Sequence, residues 1–478
     1  MAFLIGGANS LTGGYNIENS LRSDGSTTEL TRTPGSETNR ETFTFSCWHK
    51  SMSSTSFFSC ESDSNTKCVL FNHGSSQGMR TWNTVSGSTA TDIRDAAYYR
   101  DPSSWYHSVW AIDTTDGTEA NRVKMYVNGQ AITVRSGYDN YPSEDEEMGI
   151  NQAAVHTVGA RTFSGETNYL DGYLADVCFI DGQQLAPSSF GETDEDSGIW
   201  KPKDAKDDLT FGSNGLFLEF GTSGTLGEDT SGNSDDLTST NLAAIDQTTD
   251  TPTNNWCTIN IRSRRITSSA PTHAEGNTKI TSASANTQTH GVYGSIGDLK
   301  SGKWYYEAKP TLVGTDGTMS FGFGDTDARA SDTWGSGTSF NAYVSNGSKR
   351  KAGTDTTDWG DTFDDDDIIS VAIDLDNGAI YFAKNGTWQD SGDPTSGATK
   401  TGAAYTDIVS AMPAGGYVPA SRCIRQGGGD QEVVLYNYGN PAFAISSSQA
   451  DDNGYGNFEY DVPAGYYALC TKNLAEFG

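Results

Sequence analysis

Thr42-Phe43-Thr44-Phe45-Ser46-Cys47-Trp48 decides how this chain is read. Polar and apolar side chains alternate with period two, the pattern of a strand with one face on a core and the other toward solvent. Working outward, Trp105 to Asp113 alternates less cleanly. Arg122-Val123-Lys124-Met125-Tyr126-Val127 follows, then Asn128-Gly129, then Ala131 to Val134. Asn-Gly between two alternating runs is a strong hairpin signal, because both residues tolerate positive φ. Leu170 to Ile180 is a further strand, closing on Asp181-Gly182.

The second half has the same plan. Lys303 to Ala308 is aromatic, and Met319 to Gly324 alternates. Asp367 to Asp374 runs through Asp376-Asn377-Gly378 into Ala379 to Ala383 and then Lys384-Asn385-Gly386. Glu432 to Gly439 is another strand. Between the halves, Gly227 to Asp236 and Thr249 to Asn255 are polar and turn-rich. The expected organisation is an N-terminal arm (1–14), a sandwich (15–210), a polar linker (211–255), a second sandwich (256–445) and an aromatic C-terminal tail (446–478).

Composition agrees with an all-β chain. In 478 residues there are 54 Gly, 20 Phe, 22 Tyr and only 20 Leu. Few leucines with many glycines and aromatics point to strands joined by tight turns. The glycines have no period of three, which excludes collagen, and no apolar run is long enough for a membrane-spanning helix. Asp plus Glu is 62 against 31 Lys plus Arg, a net charge of −31. Such a chain repels nucleic acid and anionic membranes. The basic clusters, Arg262/Arg264/Arg265 and Ser348-Lys349-Arg350-Lys351, read as solvated loops. Seven scattered cysteines without a CxxC argue for buried, reduced thiols, with Cys60 and Cys68 placed to pair across a hairpin. Met1 to Gly7 lacks the basic flank and long apolar stretch of a signal peptide. The expected place of synthesis is a host cytoplasm.

Three resemblances add to this reading. Ser20 to Gly25, Phe43 to Trp48, Trp105 to Val109, Met125 to Gly129 and Leu170 to Val177 resemble a laminin-G-like domain of the concanavalin A-like superfamily. Ser301 to Glu307, Phe321 to Gly324, Ile368 to Gly386, Tyr417 to Ala420 and Val434 to Gly439 resemble a SPRY domain. The opening Met1 to Gly7, Leu30 to Gly35, Asp229 to Asn233 and Asp250 to Trp256 together are similar to virion proteins of marine tailed bacteriophages, including cyanophages. Those resemblances imply two concanavalin A-like antiparallel β-sandwiches. They also imply a tail-fibre, tail-associated or capsid-fibre component located in the virion. Its partners would be other virion proteins and copies of itself, with host-surface polysaccharide as ligand.

Concanavalin A-like folds include glycoside hydrolases, whose catalytic acids face one groove. Glu192-Thr193-Asp194-Glu195-Asp196 lacks the final Glu of Glu-x-Asp-x-x-Glu and lies in a turn-rich stretch. Glu144 to Glu147 and Asp364 to Asp367 read as solvated acidic turns. The six histidines form no HxxxH or HExxH pair, and His107 reads as a structural imidazole. No catalytic residue is therefore expected, and the chain is read as non-enzymatic. Calcium is the one cofactor considered, because laminin-G relatives often carry it. Asp229, Asn233, Asp235 and Asp236 supply hard oxygens, as do Asp325 and Asp327, but without a full ligand spacing. A ligand platform is expected at Trp334, Tyr343 and Trp359, with Asp332 and Asp358 beside two of them, since sugar rings stack on aromatic faces. The expected role is adhesion to a surface glycan. The alternatives are a ligand-free capsid or tail decoration and a glycan depolymerase.

Overall fold

Thr42–Ser51 lies mid-sheet between Tyr106–Asp113 and Asp171–Asp181. The computed structural model describes residues 14–52, 55–63, 65–72, 78–163, 166–261, 270–283, 288–313, 319–325, 340–425 and 431–478. Contacts divide these into one unit within residues 11–253 and another from Asn254 to Gly478. Each is an antiparallel β-sandwich.

In the first unit one eight-stranded sheet runs Gln130–Ala131, Val123–Val127, Tyr106–Asp113, Thr42–Ser51, Asp171–Asp181, Ser20–Asp24, Gln247–Thr248, with Leu216–Leu218 also paired to Asp171–Asp181. The facing sheet runs from Val134–Asn140 through Met79–Val85 and Thr55–Asp63 to Glu29–Arg32 and Thr238–Thr240. Phe43, Phe45 and Cys47 point between them, into a core with Phe58, Trp110 and Phe179. Phe45 stacks on Phe58 at 4.9 Å between ring centroids. Burying such rings stabilises by roughly 2 kcal/mol each.

The other face of that strand differs from the expectation, because Thr44, Ser46 and Trp48 are buried too. The cause lies on the neighbouring strands, where Val109, Cys178 and Ile180 form an outward apolar stripe covered by Phe190, Phe211 and Phe217. Tyr15, Ile17 and Trp200 cover Trp48, Trp105 and Tyr173 in the same way. The outward hydroxyls bond into this layer. Thr44 Oγ1 donates to Gln183 O at 2.7 Å and accepts from the Leu185 N–H at 2.8 Å. Asn128 and Gly129 take φ of 47° and 75°, as their hairpin requires, and a Cβ on Gly129 would meet Trp200 Cε3 at 2.4 Å.

The 211–255 segment is not a linker. Leu216–Leu218, Thr238–Thr240 and Gln247–Thr248 each pair with a strand of the first unit, and Leu216, Phe217, Leu218, Leu226 and Leu237 are buried. Its polar turns are held by side-chain acceptors, so short apolar runs suffice to dock it.

In the second unit an eight-stranded sheet runs Thr272–Ala274, Lys279–Thr281, Val433–Asn437, Lys303–Leu312, Ile369–Asp374, Ala379–Lys384, Thr387–Trp388. It faces a six-stranded sheet in the order Gln288–Tyr293, Tyr417–Arg425, Ser320–Asp325, Asn341–Val344, Lys349–Lys351, Thr354–Thr356. Tyr306, Phe321, Phe323, Ile369 and Val371 fill the space between. The aromatic tail folds back on this unit. Phe458, Tyr466 and Cys470 pack with Trp256, Tyr305 and Tyr381, and Tyr467–Ala468 pairs in parallel with Lys303–Leu312. Buried Glu307 anchors it by accepting the backbone N–H groups of Glu459 and Tyr460, each at 3.0 Å.

All seven cysteines are buried and stand in no disulfide. Cys60 and Cys68 are register partners and carry no disulfide. Among the described residues no helix is long and apolar enough to cross a membrane.

Candidate functional site

The structure places Tyr343 in the core and not on a platform. It is fully buried on Asn341–Val344, and its hydroxyl donates to the Asp361 carbonyl. Burial pushes its phenol above the usual range. The reason is register: Tyr343 pairs with Phe321 and Lys349, and its ring faces the opposite sheet. Its function is support, since its ring meets Trp359 edge-on at 5.5 Å and Phe363 at 5.2 Å.

Trp359 is the half-buried rim of that stack. Its indole N–H is shut off from solvent and has no acceptor among the described residues. A buried donor of this kind costs free energy. Asp358, just before it, is exposed and takes φ of 55°. Trp334 and Asp332 lie outside the described residues, as do residues 1–13, Arg262, Arg264, Arg265 and Asp327.

The structure adds residues to this rim that the sequence reading missed. Lys349 Nζ stands 5.4 Å from the centre of the Trp359 ring and 5.3 Å from that of Tyr405. It donates to Ala404 O at 2.9 Å, and partial burial holds its ammonium below the ordinary lysine range. Lys351 also lies over Tyr405 and pairs with Asp407. Arg350, on the opposite side of the strand, is paired in two-pronged fashion with Asp355. The basic run is thus a strand in a hairpin with Thr354–Thr356, not a solvated loop. The available signal was period two, which puts Lys349 and Lys351 on one face and Arg350 on the other.

The calcium candidates are committed elsewhere. Asp229 accepts the backbone N–H groups of Phe217, Ser231 and Asp235 and the Ser231 hydroxyl. Asn233 donates its amide to Gly212 O and Gly215 O, and Asp235 pairs with Arg32 at 2.8 Å. Donors pointing at these oxygens are the geometry of a turn, and no group of three or more acids, histidines or cysteines gathers among the described residues.

The acidic runs are likewise engaged. Asp194 is held near about 2 by the Ser197 N–H, its hydroxyl and Lys201. Glu147 pairs with Arg40, and Glu144 with Arg122. His107 Nε2 lies 2.8 Å from Ser46 Oγ while its Nδ1 accepts from Trp200 Nε1 at 3.1 Å, a structural imidazole. Asp176, like Asp246 and Glu307, is perturbed the other way. Asp176, at a bulge with φ of 41°, is raised to about 7 by burial and then by Glu219, with Tyr15 hydrogen-bonded to it. Glu219 is itself tied to Lys206 at 2.6 Å and Thr230 at 2.7 Å.

Two all-β sandwiches, the second with an aromatic and cationic rim, define the class of protein. Comparison with known families refines it. Residues 24–184 match the concanavalin A-like lectin/glucanases superfamily, and residues 303–411 match the SPRY domain. The chain therefore contains a laminin-G-type concanavalin A-like domain followed by a SPRY domain. Solved structures similar to parts of it include the SPRY domain of human HERC1 (18% identity, TM-score 0.26, covering 33% of this chain and 87% of that one). A SAP-like pentraxin from Limulus polyphemus has 15% identity and a TM-score of 0.27, covering 36% and 80%. Domain 4 of AbnA, a GH43 extracellular arabinanase from Geobacillus stearothermophilus solved with arabinotriose, has 17% identity and a TM-score of 0.23, covering 38% and 76%.

Proposed function

We propose that this chain is a non-enzymatic adhesion module that binds a surface polysaccharide, carried in several copies on a virion. The observation that carries the binding reading is the Trp359 rim. It combines a ring backed by buried Tyr343, an indole donor lacking a partner among the described residues, and Lys349 and Asp358 alongside. Sugars offer an apolar ring face to the part-exposed indole and hydroxyls to the charged neighbours. The two lectin-type and SPRY domain matches are consistent with such a module. The virion placement rests on the resemblance of Met1 to Gly7, Leu30 to Gly35, Asp229 to Asn233 and Asp250 to Trp256 to tailed-phage proteins. A shallow rim binds weakly, so repeated copies would supply avidity.

The depolymerase reading has one observation in its favour, the raised Asp176 carboxyl beside Glu219. Against it, Glu219 is held by Lys206 and Thr230, and Asp204, the other acid that raises Asp176, is exposed to solvent.

The test is glycan-array binding by the full chain, alongside Trp359→Ala and the more conservative Trp359→Phe, with reducing ends counted on the bound polysaccharide. Binding that falls at least about tenfold in the alanine variant, with no new reducing ends, supports the reading. No binding by the parent chain favours a ligand-free decoration. Release of reducing ends that Asp176→Asn abolishes favours the depolymerase.

A further inference from the structure

Lys50 and Asp250 lie 200 residues apart in sequence and meet in the first unit, Nζ to Oδ2 at 2.8 Å. Lys50 is on the central strand Thr42–Ser51, and Asp250 follows the unit's last strand, Gln247–Thr248. Their side chains are 0% and 1% exposed. By contrast, Lys67, Lys201 and Lys303 keep 14%, 21% and 22% exposure in their own carboxylate pairs. The surroundings are aromatic. The Tyr173 ring lies 5.4 Å from Nζ, and Trp105 Nε1 donates to Asp250 Oδ1 at 2.9 Å. Both rings belong to the apolar cluster with Ile17, Trp48 and Met52.

We propose that Lys50 and Asp250 condense into an intramolecular isopeptide bond. In the first step a proton passes from Nζ to Oδ2 along their hydrogen bond. That gives a neutral amine and a carboxylic acid in contact. The amine lone pair attacks Cγ, and charge develops on Oδ1, where the Trp105 N–H already points. A second proton moves from nitrogen to Oδ2, and the Cγ–Oδ2 bond breaks to release one water. Oδ1 becomes the amide carbonyl and one hydrogen stays on nitrogen. Atoms and charges balance without oxidant or cofactor. The fold has already met the entropic cost of bringing the two groups together, and a dry site favours loss of water. The product ties the middle of the sheet to the last segment of its own unit.

Intact-mass spectrometry of the denatured full chain tests this directly. The expected mass is one water below that of the sequence, and a protease digest should contain a branched peptide joining Lys50 to Asp250. Lys50→Arg, which keeps the charge but forms no such amide, should show the full sequence mass. Asp250→Asn should lose ammonia in place of water. A parent chain at its full sequence mass, after folding and prolonged incubation, overturns the proposal whether or not the variants fold.

Discussion

His107 offers the sharpest test of the first unit's outer layer. Its Nδ1 accepts from Trp200 Nε1 and its Nε2 faces Ser46 Oγ. An indole only donates, so Nδ1 must stay bare, and protonating it would set N–H against N–H. Burial, and then nearby His49, depress its pKa to about 3, against about 6.5 for a histidine in the unfolded chain. A depressed folded pKa means the contribution is complete above the unfolded value and is lost as pH falls from there toward the folded value. By about pH 5 the unfolded chain has gained a proton that the folded chain refuses. The 1.5-unit gap then costs about 2 kcal/mol at 1.36 kcal/mol per unit. His107→Gln keeps an acceptor for Trp200 and a donor for Ser46 and does not titrate. Urea unfolding of both chains at about pH 7.5 and about pH 5 should show the parent losing about 2 kcal/mol more than the variant on acidification, roughly 4–8 °C in the melting temperature of a unit this size. The double difference cancels the opposing contribution of Asp176, whose raised carboxyl is relieved by acid. Equal acid losses in parent and variant would refute a neutral, indole-bonded His107.

Two further substitutions probe how each sandwich is closed. Gly129→Ala puts a Cβ 2.4 Å from Trp200 Cε3 at a φ of 75° and should destabilise the first unit by roughly 2–3 kcal/mol in urea unfolding, leaving the second unit's transition in place. Glu307→Ala removes the acceptor of the Glu459 and Tyr460 N–H groups, the Tyr305 hydroxyl and the Asn437 amide. It should cost roughly 3 kcal/mol and make the segment after residue 440 the first site cut in limited proteolysis. Protection of that segment equal to the parent's would contradict its anchoring role.

Local periodicity carried the strands and hairpins well. Phe43, Phe45 and Cys47 face the core, and Asn128-Gly129 and Asn385-Gly386 turn with positive φ. The failures share one physical origin, since alternation reports only on residues two apart in the chain. It is silent about Phe190, Phe211 and Trp200 arriving to cover Ser46 and Trp48. Leu216-Phe217-Leu218 is too short a run to read as a strand, yet three register pairs fix it to Asp171–Asp181. At the rim, the sequence singled out Trp359 as an aromatic in a polar stretch. Lys349 and Tyr405 are far from each other in sequence, and only the fold brings the Lys349 ammonium over both the Trp359 and the Tyr405 rings.

The two units solve a shared problem in parallel ways, and this bears on where a ligand can bind. Each has a central sheet whose outer face is too apolar to leave wet, and each covers it with a distant, mostly strandless segment. In the first unit Asp250 sits in that cover and receives Lys50 and Trp105 from the sheet. In the second the acid is on the sheet, where Glu307 receives backbone N–H groups from the cover. A buried carboxylate is a directional fastener, because breaking it leaves an uncompensated charge or donor in a dry place. Faces fastened this way are covered, so the sugar binding proposed above falls to the rims, where hairpins such as Lys349–Lys351 with Thr354–Thr356 end. Trp359, its ring part-exposed and its indole donor lacking a partner among the described residues, stands at such a rim.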